Sequence, residues 1–594
     1  MSPAGQEAAR RLPGTARPTL IESGFAVLER SSARGTTTVL AEGLQLSTRP
    51  VDYVIMGAYF TLVLGIGFLA RRKIKTSLDF FLSGRSLPAW VTGLAYISAN
   101  LGAIELMGMS ANGAEYGVPT FHYYLIGAIP AMVFLGLVLM PFYYGSKARS
   151  VPEFLLKRFG KGAHLFISVI FSVATLMIAG VNLYALALIL NALLGWPLPV
   201  GITAAAVLVL AYTALGGLTA AIYNEVFQFF LILAGLVPLT VFGLHAVGGW
   251  QGLYAKVAAM PGGATQTNAW PAAELTGFAN PVLSVVGIAF GLGFVLSFGT
   301  WTTNFAEVQR AMAAKDMSAA RRTPLIGAFP KLLVPLVIVI PGMTAGVLSP
   351  EMRQLKATGQ SSLDYNDALL VLIRDMLPNG LLGVAITGLL ASFMAGMAAN
   401  ISSFNTVFTY DLWQDYLVRD RSDRYYLAVG RWATTIGTLL AIGTAFIAST
   451  YDNMMDYIQS LASIFNAPLF ATFILGVFWK RMTPAAGWSG LMAGTVTALG
   501  LTVAAESGVI DLPGQGASFL AAGSAFVVDA VLSVVVSTLS RPKPDAELVG
   551  LVHGLTERAA PQQETSDRMT WYRSPGVLAG LALAMSVGVY LLVG

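Results

Sequence analysis

Apolar runs of about 20 residues recur along almost the whole chain, and each is long enough to cross a hydrocarbon core of roughly 30 Å. Fourteen such runs can be placed between residues 51 and 593. Hydrophobic residues make up 55% of the chain and charged residues only 11%, whereas a soluble domain carries about 25% charged residues. We therefore expect an all-α integral membrane protein with about fourteen transmembrane helices, embedded in the lipid bilayer of the cell (plasma) membrane.

The first 50 residues differ from the rest because they hold six arginines and no uninterrupted apolar core. They lack the hydrophobic region of a signal peptide, and we interpret residues 1–50 as a disordered N-terminal tail. The chain has no cysteine, which excludes disulfide and thiol chemistry. No HExxH, paired-aspartate or serine–histidine motif lies in the apolar runs, so we expect neither an enzyme nor an organic cofactor.

Lysine and arginine are distributed very unevenly between alternate loops. One set of loops carries 24 of these residues and the opposite set carries four, and loops rich in positive charge stay in the cytoplasm. The loop at 541–573 belongs to the first set and is predicted to be cytoplasmic, while both termini are predicted to be extracytoplasmic. The net charge of +5 follows from this loop bias, so we expect no nucleic-acid partner.

Small and polar residues interrupt the second apolar run at Ser98-Ala99-Asn100-Leu101-Gly102-Ala103-Ile104-Glu105. A charge at membrane depth costs roughly 3 kcal/mol on insertion scales and usually faces a cavity or a partner. Small residues beside it can let the helix unwind, so that its backbone carbonyls turn toward a bound ion. This stretch therefore predicts half of a transport site, with Asn100 and Glu105 among the candidate solute ligands.

A second interruption lies in the seventh run, where glycines and hydroxyl residues break the apolar sequence between Phe290 and Asn304. Because the two interrupted runs are five apart, they enter the membrane from opposite sides, which is the pattern of an inverted-repeat transporter. We therefore divide the chain into a peripheral first helix at 51–71, a first five-helix repeat at 87–245, an inverted second repeat at 280–478 and three peripheral helices at 486–593.

Few charged residues lie well inside the predicted spans, and three of them stand out: Glu105, Glu225 and Lys331. A buried charge is costly unless it is paired, and inside a membrane it is a candidate functional residue. For Glu105 and Lys331 we favour a role in the transport site over a purely structural one. For Glu225 two interpretations stay open, a second ion or proton site and a structural partner of a nearby loop arginine.

Seven motifs follow one another between residues 98 and 481: Ser98-Ala99-Asn100-Leu101-Gly102, Val151-Pro152-Glu153-Phe154-Leu155-Leu156-Lys157-Arg158-Phe159-Gly160, Gly216-Gly217-Leu218-Thr219-Ala220-Ala221-Ile222-Tyr223, Val308-Gln309-Arg310-Ala311-Met312-Ala313-Ala314-Lys315-Asp316-Met317, Phe408-Thr409-Tyr410-Asp411, Tyr457-Ile458-Gln459-Ser460 and Phe478-Trp479-Lys480-Arg481. Because the motifs occur in this order and at these spacings, the chain resembles the sodium/solute symporter family, and within it the sodium–glucose (galactose) cotransporter branch. The resemblance covers roughly residues 50–540. It implies a LeuT-like core of two inverted five-helix repeats (5+5) and alternating access around a site near the membrane midplane.

The resemblance also implies roles for individual residues. The sugar branch places a lysine and a glutamine where this chain has Lys331 and Gln459, and both side chains suit a hydroxyl-rich ligand because they offer several hydrogen bonds. Trp301 matches an aromatic residue beside the inner gate that can stack on a sugar ring. Glu105 matches a position that relatives use toward the substrate, and Thr300 replaces an inner-gate tyrosine.

For the coupling ion, the resemblance implies sodium held by backbone carbonyls and by two adjacent serine hydroxyls. Ser98 and Leu101 in the interrupted run, with Ser392 in the ninth run, match the carbonyl positions. The hydroxyl pair falls on Ala395 and Gly396, which have no side-chain oxygen. Sodium is the leading ion, and a proton exchanged by a desolvated carboxylate is the alternative.

These observations predict a secondary active transporter that couples Na+ to the symport of a small polar solute, such as the monosaccharides glucose or galactose. One alternative is a proton-coupled or uncoupled carrier. A second is a symporter of a small cationic or amino compound, for which Glu105 is a natural counter-charge. A third, less favoured, is a transporter-like sensor. Nothing in the sequence points to an oligomeric state.

Overall fold

The computed structural model describes residues 44–71, 81, 83–145, 150–451, 453–555 and 573–593. Helices make up nearly all of these ranges, and the sole β contact among the described residues is an isolated bridge between Leu87 and Ala314. Part of the predicted cytoplasmic loop, residues 556–572, lies outside the described residues.

The helices alternate with short connections along the chain. In chain order they are α1 (Pro50–Arg71), α2 (Ala89–Asn100), α3 (Met109–Tyr116), α4 (Val118–Tyr144), α5 (Val151–Phe159), α6 (Lys161–Leu194), α7 (Leu198–Val247), α8 (Gly249–Ala258), α9 (Gly263–Gln266), α10 (Ala273–Thr276), α11 (Pro281–Thr303), α12 (Phe305–Met312), α13 (Met317–Leu348), α14 (Pro350–Thr358), α15 (Ala368–Met376), α16 (Leu381–Leu417), α17 (Asp423–Ala448), α18 (Met454–Phe478), α19 (Pro484–Glu506), α20 (Gly516–Leu539), α21 (Asp545–Leu548) and α22 (Pro575–Val593).

Within the described ranges, eleven helices are long and apolar enough to cross a membrane. Two shorter apolar stretches, Pro50–Ile66 and Leu198–Ala211, coincide with further predicted spans. The second predicted span, 87–109, is divided between α2 and a π-helical turn at Ile104–Gly108. The predicted multi-pass helical architecture is therefore confirmed, while the count of fourteen helices stays a prediction.

Residues 44–49 have no regular secondary structure and contact α6. Leu44 and Leu46 are buried, and the Leu46 N–H donates to the carbonyl of Ala192 at 3.1 Å. These six residues therefore belong to the packed protein rather than to the predicted disordered tail. Residues 1–43 of that tail lie outside the described residues.

The first predicted interruption is a true break in the helix. α2 ends at Asn100, and the chain is not helical at Leu101 and Gly102. The Gly102 N–H donates to the Asn100 carbonyl at 2.8 Å instead of reaching the carbonyl of Ser98, so regular helical bonding stops here. A π-helical turn at Ile104–Gly108 then leads into α3, and such turns are frequent at functional sites.

The second interruption also ends in a break. α11 contains a π-helical stretch at Gly287–Ser297 and ends at Thr303. Asn304 adopts an extended backbone, and its side-chain oxygen accepts a hydrogen bond of 3.1 Å from the Ala306 N–H. This N-cap starts the half-helix α12 in a new direction.

Two groups of helices meet around these breaks. α13 packs along α2, α3 and α4, whereas α16 packs along α6 and α7, and α2 also contacts α7 and α16. The contact between α3 and α13 is close because it uses glycine: a Cβ on Gly113 would lie 2.6 Å from the Val339 carbonyl oxygen. Small residues allow such close helix crossings in membranes, and this one fixes α13 beside the first break.

Candidate functional site

A cavity of about 140 Å³ lies between the two breaks. A cavity of roughly 150 Å³ can hold a molecule the size of benzene, so this space suits a small solute. The five predicted solute ligands all line it: Asn100, Glu105, Trp301, Lys331 and Gln459. Their contact with one cavity agrees with a common binding role, which stays a prediction.

Lys331 and Glu105 form a buried ion pair in the wall of this cavity. Lys331 Nζ lies 2.7 Å from Glu105 Oε1 and 2.6 Å from Asn100 Oδ1, and both charged side chains are almost fully buried. The rings of Trp301 and Tyr124 lie 4.9 Å and 5.0 Å from the same ammonium, within the range of cation–π attraction. The pair ties α13 to the first break.

Two of the three predicted ion ligands, Leu101 and Ser392, meet where α16 contacts the first break. The hydroxyl of Ser392 donates to the carbonyl of Leu101. Ser98 is fully buried, and its hydroxyl has no hydrogen-bond partner among the described residues. Carbonyl and hydroxyl oxygens are the ligands that hard cations prefer. The residues present therefore fit a cation such as Na+, although fewer oxygens are available here than the family resemblance implies.

The side chain of Asn182, on α6, reaches the place of the missing hydroxyl pair. Gly396 faces Gly102 so closely that a Cβ on Gly102 would lie 3.3 Å from the Gly396 Cα. Asn182 Oδ1 lies 2.5 Å from the position that a Cβ on Gly396 would take. The same oxygen accepts a hydrogen bond of 2.9 Å from the Ala103 N–H. Because a carbonyl oxygen has two lone pairs, Asn182 can hold the break and still offer an oxygen to a cation.

Glu225 does not line the cavity and pairs with Arg310. Arg310 Nε lies 3.2 Å from Glu225 Oε2, and Arg310 Nη2 bonds to the second carboxylate oxygen. Both side chains are almost fully buried, and bidentate pairs of this kind are strong. The contact favours the structural interpretation of Glu225, and a role in ion or proton binding stays a prediction.

Two polar residues of the cavity lining, Asn182 and Glu307, are not evident from the sequence. Asn182 is a single amide in the apolar helix α6, and lone amides commonly make ordinary contacts between membrane helices. Glu307 lies beyond the predicted end of the seventh run, and α12 then carries it to the cavity wall. A carboxylate in the first turn after a predicted break is the signal that could have identified it.

Comparison of the chain with known sequences identifies sodium-coupled symporters as its relatives. A family described as the sodium:solute symporter family matches residues 80–494. The Sodium/glucose cotransporter of Vibrio parahaemolyticus is 30% identical over 467 residues, which cover 76% of this chain and 84% of that protein. The Sodium/myo-inositol cotransporter 2 of Rattus norvegicus is 30% identical over 483 residues, which cover 77% of this chain and 70% of that protein.

A solved structure shares the fold. A Na+-coupled sialic acid symporter, in a substrate-bound outward-open state, aligns with a TM-score of 0.67 at 19% identity, over 83% of this chain and 98% of that chain. Likeness at this level of identity concerns the fold alone. It confirms the predicted fold class, an all-α membrane protein with a LeuT-like core.

We expect the loss of the Lys331 ammonium to destabilise the protein more than the loss of both charges. Lys331→Met leaves Glu105 buried without its partner, and breaking a buried pair in this way costs roughly 3–5 kcal/mol. The double variant Glu105→Gln/Lys331→Met has no stranded charge, so its midpoint of thermal unfolding should recover toward the wild-type value. Equal losses in the single and double variants would contradict the pairing, and Lys315→Met, at an exposed lysine, is the control.

Proposed function

Since the chain belongs to the sodium:solute symporter family, we propose that it is a Na+-coupled secondary active transporter of a small, hydroxyl-rich solute of the size of glucose, galactose or inositol. The observation that carries this proposal is a small cavity at the two helix breaks, lined by all five predicted solute ligands. Relatives that are 30% identical are named for the cotransport of sodium with glucose or with myo-inositol, which supports the same solute class.

The cavity wall offers the chemistry that a neutral polyol needs. Gln459 provides an amide with both donors and an acceptor, and the ammonium of Lys331 provides three donors. The ring of Trp301 gives an apolar face against which a sugar ring can pack. Because Glu105 balances the charge of Lys331 at 2.7 Å, this pair adds no net charge to a site for an uncharged solute.

Coupling in this proposal comes from an ion that stabilises the first break. In this proposal, Na+ would be held by the carbonyl oxygens of Ser98, Leu101 and Ser392 and by Asn182 Oδ1. An ion bound here favours the conformation in which the break is open to the outside, and solute binding then favours closure. A ligand shifts such an equilibrium only by its difference in affinity for the two states.

The test of function is uptake into proteoliposomes made with the purified full chain. We expect an inward Na+ gradient to drive accumulation of D-glucose, D-galactose or myo-inositol, by up to about tenfold for each tenfold Na+ gradient and coupled ion. Gln459→Ala should raise the KM for that solute by about two- to tenfold, because one uncharged hydrogen bond is lost. Uptake of all three solutes that is indifferent to Na+ would overturn the sodium-symport proposal.

Variants at Asn182 and Gly396 test the proposed sodium ligands without reference to which solute is carried. Asn182→Ala should raise the Na+ concentration for half-maximal uptake, and for half-maximal thermal stabilisation by Na+, at least about tenfold, because a bond to a charged group is lost. Adding Gly396→Ser returns an oxygen to the same place. Its Cβ would still lie 3.0 Å from the Gly102 Cα, so the backbones must move apart slightly, and we expect only part of the Na+ affinity to return. In the wild-type background, Gly396→Ser should impair binding because its Cβ would meet Asn182 Oδ1.

The control for this series is Asn191→Ala, which removes another amide from α6, one that bonds to the Trp196 carbonyl away from the break. It should leave the Na+ dependence unchanged. An unchanged Na+ dependence in Asn182→Ala would remove Asn182 from the proposed ligand set without affecting the proposed solute.

A small cationic or amino compound is a second candidate solute, favoured by one observation. Glu105 already holds an ammonium group, that of Lys331, at 2.7 Å, so a solute ammonium could take the same place. Such a solute would need the carboxylate of Glu105 as its counter-charge, whereas a sugar could use an amide there.

Glu105→Gln separates the two candidates. The variant strands the ammonium of Lys331 and should be less stable than the wild type, so uptake is measured per folded protein. For a sugar, we expect this uptake to persist with a KM within about tenfold of the wild-type value, because an amide still offers hydrogen bonds to the solute. For an amine, we expect the KM to rise more than about a hundredfold, because the buried charge of the solute would lose its partner. Glucose uptake and uptake of glucosamine, its amino analogue, measured side by side in the variant decide between these outcomes.

A further inference from the structure

Glu307 differs from the two carboxylates that the sequence singles out. Glu105 has Lys331 as its ion-pair partner, and Glu225 has Arg310. None of the described lysines, arginines or histidines forms an ion pair with Glu307. Glu307 is nevertheless only 6% exposed, lines the cavity, and has one oxygen, Oε2, that is buried without a hydrogen-bond partner.

The charged groups around Glu307 are already engaged with other partners. Arg310, one turn further along α12, bonds to Glu225 and to the Ala306 carbonyl. Lys331, on α13, bonds to Glu105 and Asn100. Both cations influence Glu307 only at longer range.

The other helices around α12 contribute little charge. From α2, Tyr96 and the amide of Asn100 face the carboxylate, and at the end of α4, Tyr143 donates its hydroxyl to the Thr302 carbonyl. α11 carries no titratable residue, and α16 carries none between residues 381 and 408. Glu307 is therefore surrounded mainly by neutral groups.

The charges of the cavity wall do not balance if every acid is ionised. Two carboxylates, Glu105 and Glu307, share the wall with one ammonium, that of Lys331, and this leaves one negative charge in a low-dielectric site. Burying an unpaired charge is so costly that the group neutralises instead. A solute ammonium cannot reach the orphan oxygen, because Glu307 Oε2 has almost no accessible surface. A proton can.

We propose that Glu307 is a proton site of the transport cycle: it carries a proton while the cavity is closed and releases it when the cavity opens to the inner solution. The proton comes from water on the outer side and bonds to a carboxylate oxygen of Glu307. Water that enters from the inner side solvates the carboxylate and accepts the proton. One proton then crosses with the solute, in addition to any Na+. This inference rests on the proposed transport function, but the protonation itself can be measured without a solute.

Infrared spectroscopy of the full chain in lipid bilayers measures the protonation directly. Exposed carboxyl groups, with an ordinary pKa near 4.3, are ionised at about pH 7, so the carbonyl band of a protonated acid at that pH reports buried groups. We expect this band to lose intensity in Glu307→Gln and to keep it in Glu506→Gln, which removes an exposed carboxylate. An unchanged band in Glu307→Gln would overturn the proposal, whichever solute the protein carries.

Transport measurements test whether the proton on Glu307 crosses the membrane with the solute. With equal Na+ on both sides and an interior more alkaline by one pH unit, the wild type should accumulate glucose, galactose or myo-inositol by up to about tenfold per coupled proton. Glu307→Gln should lose this component and keep uptake driven by a Na+ gradient, and Glu307→Asp should retain both.

Accumulation driven by the pH gradient that is equal in Glu307→Gln and the wild type, or absent in both, would overturn proton cotransport. Failure of all three solutes under a Na+ gradient counts instead against the proposed function. The infrared band then still decides whether Glu307 holds a proton.

Discussion

The ion pair between Lys331 and Glu105 is the interaction on which the rest of the site depends. It places an ammonium and a carboxylate 2.7 Å apart at membrane depth, where either charge alone would be strongly destabilising. The pair forms because the break after Asn100 turns Glu105 toward α13, and because Gly113 lets α3 approach α13 closely. A continuous helix with larger residues would keep these two groups apart.

The second constraint is the close contact between the first break and α16. A Cβ on Gly102 or Gly396 would lie 3.3 or 3.0 Å from the facing Cα, so the two backbones leave little room for side chains. Asn182 Oδ1 fills the adjacent space while it accepts the Ala103 N–H at 2.9 Å. The absence of hydroxyls at Ala395 and Gly396 is therefore compatible with a third helix that supplies an oxygen. When one helix of a membrane protein lacks a polar ligand, a neighbouring helix can supply it, because each buried polar group must find a partner within the protein.

Much of this arrangement follows from the sequence, because membrane burial makes polar residues conspicuous. Asn100, Glu105 and Lys331 stand out as rare polar groups in apolar runs, and the small residues near Leu101 indicate where the helix breaks. Asn182 does not stand out, since its role depends on the absence of side chains at two distant glycines. Glu307 does not either, because it lies beyond the apolar run, and only the turn at Asn304 brings α12 back to the cavity.

The proposed solute site and the proposed ion site are linked by neighbouring residues of the first break. The Asn100 side chain bonds to Lys331 at 2.6 Å, while the next residue, Leu101, offers its carbonyl to the hydroxyl of Ser392. A solute that takes hydrogen bonds from Lys331 would compete with Asn100 for the ammonium, and the carbonyl of the adjoining Leu101 lies in the short non-helical segment. An ion bound at that carbonyl restricts the same segment. In the proposed transport cycle, each ligand would therefore alter the free energy of binding of the other, and such an effect is reciprocal. Adjacency along a broken helix thus gives a physical route for coupling that needs no large rearrangement between the two sites.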